Sequence, residues 1–236
     1  MKACIVSTIF FLNICLLVQA STIYAETSTN SLAAKSVWHF TPADVNALHS
    51  KPADYRIHYG SDPLQFGDLR LPSGRGPYPI AIIIHGGCWV STFADLQNTA
   101  ALADALRDLG IATWNIEYRR EDNNGGGWPG TFLDVGHAAD FLRDISQKYS
   151  LDLNRVIVIG QSAGGHLALW LASRHKLPAN SVLYSAKPLP LQGVIALGGV
   201  PDLKAFRDHG TKMCGQDVIA KLLGNTSESI QKNIKD

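Results

Sequence analysis

Arg155 to Arg174 reads RVIVIGQSAGGHLALWLASR. Four β-branched residues, Val156 to Ile159, run into Gly160-Gln161-Ser162-Ala163-Gly164, and an apolar helical pattern follows at once. A helix that starts directly on a strand end needs a sharp turn with a strained apex. The residues two positions either side of that apex must be tiny, and Gly160 and Gly164 meet this need around Ser162. The turn lifts the Ser162 hydroxyl above the carboxyl edge of a sheet, where ligands bind in α/β folds. It also aims a helix N-terminus at the same place, which favours developing negative charge. The competing reading is a tight packing turn with an inert serine.

Outward from this turn, strands and helices alternate. Tyr55–Tyr59 and Leu64–Leu71 read as two strands around the turn Gly60-Ser61-Asp62-Pro63. Ile80–Ile84 (IAIII) is apolar on both faces, as a strand covered by helices on both sides must be. Asp95–Leu109 has helical periodicity with Gly110 as its stop, and Ile111–Glu117 is the next strand. A flexible Asn123–Gly130 loop leads into a long amphipathic helix over Phe132–Tyr149. Arg155–Ile159 is a strand, Ala163–Arg174 a helix, and Gln192–Leu197 a sixth strand. The expectation is an α/β fold with a mostly parallel sheet and helices on both faces.

A second element follows the strand IAIII: His85-Gly86-Gly87-Cys88-Trp89. A glycine pair lets backbone N–H groups face a substrate oxyanion without side-chain obstruction. An acyl-transfer site needs two such donors, one from the residue after the nucleophile and one from a loop of this kind. HGGCW, NIEYRR (Asn115–Arg120) and GQSAGGHLALWLASR together resemble the α/β-hydrolase superfamily, in particular its kynurenine formamidase-like, BD-FAE-type esterase branch. The resemblance covers about Tyr55 to Leu223. It implies a serine hydrolase acting on carboxylic esters or on activated amides such as aryl formamides, with no cofactor. It implies Ser162 as nucleophile and an oxyanion hole from Gly86, Gly87, Cys88 and Ala163, with His85 shaping the loop. It also brings Trp89 and Trp128 near the substrate pocket, or leaves them as core and lid packing. Histidine is typical where this chain has Gln161, a position the resemblance implies to be buried beside the nucleophile.

A serine hydroxyl needs a base within hydrogen-bond reach, and the base needs an orienting carboxylate. In this superfamily the acid and then the histidine come after two further strands. Here a polar, helix-like stretch follows the sixth strand to Asp236. The expectation is a fold lacking its last strands, with base and acid assigned to no residue. His166 braces the helix after Ser162, His175 sits at that helix's C-terminus, and His209, with Asp202 and Asp208, reads as solvated loop. The alternatives to an active enzyme are a catalytically impaired, truncated hydrolase or an acyl-ligand-binding pseudoenzyme.

The remaining sequence bounds the setting. The chain has 236 residues, 46% hydrophobic and 17% charged, with a formal net charge of +1. This is one globular domain's worth of chain with no basic field to gather nucleic acid. The partner it implies is a small-molecule ester or amide. Met1-Lys2 followed by the apolar run Ile5–Val18 reads as a secretory signal peptide cut after Ala20 or Ala25. That predicts a secreted or periplasmic protein with no stable membrane insertion after cleavage. Residues 1–25 are then the signal, 26–54 a leader with a short helix near Pro42–His49, and 55–236 the hydrolase domain. Cys88 and Cys214 remain after the cut, as a disulfide or as two buried thiols. No His/Cys/Asp/Glu cluster has metal-ligand spacing.

Overall fold

The computed structural model describes residues 41–209 and 212–233. The signal peptide, most of the leader and the His209 side chain lie outside the described residues. Six strands form one sheet in the order β1-β2-β4-β3-β5-β6. They are β1 Tyr55–His58, β2 Phe66–Arg70, β3 Tyr78–Ile84, β4 Ala112–Ile116, β5 Leu151–Gln161 and β6 Gly193–Leu197. The first two are antiparallel to their neighbours. From β4 through β3 and β5 to β6 the pairing is parallel. The helices are α1 Pro42–Asn46, α2 Ala100–Asp108, α3 Gly130–Asp140, α4 Leu142–Ile145, α5 Ala163–Ser173, α6 Leu203–His209, α7 Val218–Leu223 and α8 Ser227–Asn233.

The run IAIII explains why helices must lie on both faces. Ile80, Ile82 and Ile84 point into the larger apolar cluster with Val135 and Ala138 of α3 and Leu167 and Ala168 of α5. Ala81 and Ile83 point the other way, against Ala103 of α2. Each of these residues is removed from solvent entirely. At about 25 cal/mol per Å² of apolar surface, the central strand contributes heavily to the hydrophobic stabilisation. The last strand differs. Ile195 and Leu197 of β6, at the sheet's edge, are 45% and 46% exposed.

Register sets up the site. Ile84 lies opposite both Ile116 and Gly160, and Gln161 lies opposite Leu197. The carboxyl ends of β3, β4, β5 and β6 are therefore level, and the segments leaving them emerge at one edge.

Four element boundaries differ from the sequence reading. The helix expected over Phe132–Tyr149 begins at Gly130 and breaks after Asp140. Phe141 keeps helical dihedrals, but the Asp144 amide bonds its carbonyl in a tighter i to i+3 turn. Asp140 at the break is held from outside the helix by Arg174 and by the Leu189 amide. The strand expected over Arg155–Ile159 extends from Leu151 to Gln161, because Leu151 pairs Tyr78 beyond a register shift. The helix expected from Asp95 starts as a 3-10 turn over Leu96–Thr99, capped by the Asp95 carboxylate on the Gln97 amide. The tail after β6 forms three short helices rather than one stretch.

Candidate active site

The strand–helix junction places Ser162 at φ 53°, ψ −116°, outside the regions L-residues ordinarily occupy. Backbone packing holds it there. A side chain on Gly160 would put its Cβ 2.0 Å from the Gly164 carbonyl oxygen. One on Gly164 would reach 2.2 Å from the Ile84 carbonyl oxygen, and one on Gly165 would reach 2.7 Å from the Gly199 Cα. The start of α5 thus sits backbone to backbone on the ends of β3 and β5. The Ser162 amide donates to Leu197 O at 2.9 Å, and the Ser162 carbonyl accepts from the His166 amide at 3.0 Å. Ala163 opens α5, where the first amides have no intrahelical acceptor.

The loop after β3 lies against this junction. A Cβ on Gly86 would come 2.2 Å from Gln161 Oε1. Gly87, Cys88 and Trp89 all have positive φ, at 100°, 53° and 56°. The Val90 amide closes the turn on Gly87 O, and the Glu121 amide donates to Trp89 O at 2.8 Å. The amides of Gly87, Cys88 and Ala163 take no backbone acceptor among the described residues. The loop and the helix start are packed together, since a Cβ on Gly164 would come 2.4 Å from the His85 carbonyl oxygen, and Ser162 beside them is half-buried.

Beneath the loop is a buried ionic network. His85 is fully buried, with Nε2 3.0 Å from Glu117 Oε1 and Nδ1 2.8 Å from Gly86 O. The same Glu117 oxygen accepts from Arg120 at 2.5 Å and from the Tyr118 amide at 2.9 Å, while its partner oxygen accepts from the Leu96 amide. Burial pushes the Glu117 carboxyl up, but the His85 hydrogen bond, Arg120 and the Tyr118 amide together hold it below the ordinary carboxylate range. The Tyr118 ring stacks on His85 at 4.4 Å, and its hydroxyl donates to His85 O at 2.9 Å. The sequence marked His85 as a loop-shaping residue and carried Glu117, Tyr118 and Arg120 in NIEYRR as part of the resemblance, but assigned them no role. The available signal was an acid and an arginine at i and i+3 directly after a buried strand.

The other histidines stand apart from the hydroxyl. Among the described residues no imidazole hydrogen-bonds Ser162. His166 is buried between the rings of Trp89 (5.4 Å) and Phe132 (5.8 Å), its Nδ1 without a partner. Burial lowers its pKa to about 4, so it is neutral near pH 7. His175 is exposed, its Nδ1 3.0 Å from Ala172 O near the end of α5. Asp202 accepts from the Ala205 amide at 2.9 Å at the start of α6, and Asp208 pairs with Lys204 and Arg207. Gln161 is exposed, in contrast to the buried position the resemblance implied; its strand ends at the sheet's open edge. Trp89 is core, 1% exposed. Trp128 is half-buried and lines an open groove of about 640 Å³ with Phe132, His166, Trp170 and Leu203. Cys88 and Cys214 form a disulfide, Cα to Cα 5.4 Å, across 126 residues of sequence. Among the described residues no group of His, Cys, Asp and Glu can hold a metal, and no helix is long and apolar enough to cross a membrane.

A level-ended, mostly parallel sheet covered by helices, a strained serine between strand and helix, and a glycine loop packed against that junction make up an α/β-hydrolase fold. Residues 68–236 match the family model of BD-FAE, and the chain belongs to that family. It is 36% identical to esterase LipC of Mycobacterium tuberculosis over 134 residues, which is 56% of this chain and 32% of LipC. It is 29% identical to the isoprenylcysteine alpha-carbonyl methylesterase ICME of Arabidopsis thaliana, over 68% of this chain and 37% of that protein. The chain thus spans about a third of the length of these curated relatives. Among solved structures, esterase B of Lactobacillus rhamnosis superposes with a TM-score of 0.66 at 20% identity. That match covers 93% of this chain and 70% of that one. A truncated carbohydrate esterase from gut microbiota gives 0.62 at 22% identity, over 78% and 71% of the two chains. These structures share the fold.

Proposed function

We propose that the protein hydrolyses carboxylic esters through an acyl-enzyme at Ser162. The observation that carries this reading is the strained Ser162 at a strand–helix junction packed against the His85–Cys88 loop, where the amides of Gly87, Cys88 and Ala163 take no backbone acceptor among the described residues. Ser162 Oγ attacks the ester carbonyl, and the oxygen takes negative charge within reach of those N–H groups. The C–O bond to the leaving alcohol then breaks, and water hydrolyses the acyl-serine. The names of the relatives, an esterase and a methylesterase, support carboxylic esters as the substrate class. Aryl formamides are a second class that the same cradle accommodates. The base that takes the serine proton is assigned to no described residue.

That gap supports a second reading, in which the chain binds acyl ligands without efficient turnover. Oxyanion stabilisation and binding alone leave roughly 10³–10⁴-fold over water in hydrolases stripped of their triad. A fluorophosphonate probe separates the two. Labelling of the chain that is abolished in Ser162→Ala, together with p-nitrophenyl ester turnover, supports the hydrolase. Absence of labelling with retained acyl-ligand binding in calorimetry supports the binding protein.

Export is part of the proposal. The apolar run Ile5–Val18 and the Cys88–Cys214 bond both suit an oxidising compartment outside the cytosol. The intact mass of secreted protein should correspond to a chain starting at Ser21 or Glu26; a mature protein still carrying Met1 would contradict it.

A further inference from the structure

We infer that Cys214 is a positioning residue: its bond to Cys88 holds the oxyanion amide of the strained loop in place. This inference rests on the hydrolase reading above. Three consecutive residues of the loop, Gly87, Cys88 and Trp89, have positive φ, and two of them carry side chains that disfavour it. Such a run persists only where the surroundings over-determine it. Each residue has its own restraint. Gly87 lacks a Cβ, and its carbonyl accepts the Val90 amide. Trp89 is locked by burial, by the Glu121 amide on its carbonyl, and by edge contacts with His166 and Phe206. For Cys88 the restraint is the disulfide. Cys214 lies just ahead of α7, whose Ile219, Leu222 and Leu223 are fully buried. The bond therefore couples the Cys88 backbone to an anchored helix far along the chain.

Reduction by a dithiol breaks the bond. Two electrons and two protons pass to the sulfurs, giving two thiols and a cyclic disulfide of the reductant. Cys88 then keeps its chain neighbours and its burial, but loses the covalent tie that fixes its left-handed backbone to the segment ahead of α7.

The test compares oxidised chain, dithiol-reduced chain and Cys214→Ser. Fluorophosphonate inactivation is measured as a maximal rate and a half-saturating concentration, with near-ultraviolet circular dichroism recorded at the same temperature. The expected result is a tenfold or greater fall in maximal rate and less than a twofold change in half-saturation, with the dichroism retained. Reoxidation should restore the rate. Amide hydrogen exchange of a peptide spanning 85–90 should speed up on reduction. An unchanged rate in folded, reduced protein would overturn the inference. So would loss of the dichroism on reduction, since the bond would then staple the whole fold rather than the loop. If the oxidised chain fails to label at Ser162, the hydrolase reading falls. Exchange at 85–90 then decides the tether by itself: faster exchange on reduction upholds it, and unchanged exchange refutes it.

Discussion

Two turns at the same sheet edge carry left-handed residues, and they are held by different physics. Around Ser162 the support is backbone against backbone. Gly160, Gly164 and Gly165 allow contacts that no Cβ would fit. Around Gly87–Trp89 the support is side chains from remote segments: His85 on Glu117 and Arg120, Cys88 on Cys214, and Trp89 between α5 and α6. The glycines that permit the first turn lie within six residues of sequence, although the backbone they meet comes from Ile84 and Gly199 as well. The second draws on groups spread over 126 residues of separation. A contact made by backbone leaves a local mark in the sequence, because glycine is obligatory. A contact made by side chains leaves scattered marks that gain meaning only when the fold brings them together.

The largest effect should come from the backbone-supported turn. Gly164→Val places a branched side chain against the Ile84 and His85 carbonyl oxygens. The strand ends cannot retreat without breaking the ladder, so destabilisation should be on the order of 3 kcal/mol or more. Denaturant unfolding or failure to recover folded protein would show it; a stable, labelled Gly164→Val protein would break the comparison.

Next is the network under the loop. Glu117→Ala leaves Arg120 and His85 buried without their carboxylate. Breaking a buried pair from one side costs roughly 3–5 kcal/mol. Glu117→Gln should recover part of this, because an amide oxygen still accepts one hydrogen bond. Equal losses in the two variants would mean that hydrogen bonding, rather than charge, is irrelevant to the loop's support.

His166 sharpens the comparison through pH. Its folded pKa, lowered to about 4 by burial, lies below the unfolded value near 6.5. The unfolded chain therefore binds the proton more readily. The stability from keeping this imidazole neutral is present above about pH 6.5 and is lost as pH falls toward 4. The loss should be on the order of 3 kcal/mol for this buried group. In His166→Phe the unfolding midpoint should fall less between pH 7 and pH 4.5 than in the parent. Parallel profiles would contradict the buried, neutral assignment.

The smallest effect should come from the tail that carries Cys214. Asp202→Ala removes the carboxylate that accepts the Ala205 amide at the start of α6. A lost cap costs about 1 kcal/mol. Ser162 labelling should not change, since Cys214 is anchored through α7 rather than α6; a slowed reaction would mean that α6, through Phe206 on Trp89, also supports the loop.

The central sheet was legible because its signals are local and redundant. IAIII is apolar on both faces, and each strand is bounded by a turn or helix start. The junction at Ser162 was legible too, because the glycine spacing falls between an apolar strand and an apolar helical pattern. The helix break at Asp140 was not, because it depends on Arg174 and Leu189 arriving from later in the chain. The role of Glu117 was illegible for a related reason: an acid at a strand end looks solvated until His85 and Arg120 close over it.

The sequence by itself determined the class of fold and the candidate nucleophile. Alternation of apolar strand and amphipathic helix permits few chain paths, and a serine between glycines at a strand end suits the sharp turn into a helix that the structure shows. Tertiary structure alone decided how the opposing loop is held: that Cys88 bonds Cys214, that Glu117 lies beneath His85, and that His166 is sealed between aromatic rings. Those outcomes rest on distances between segments far apart in the chain. Such distances are set by the packed whole, and no short stretch of residues encodes them.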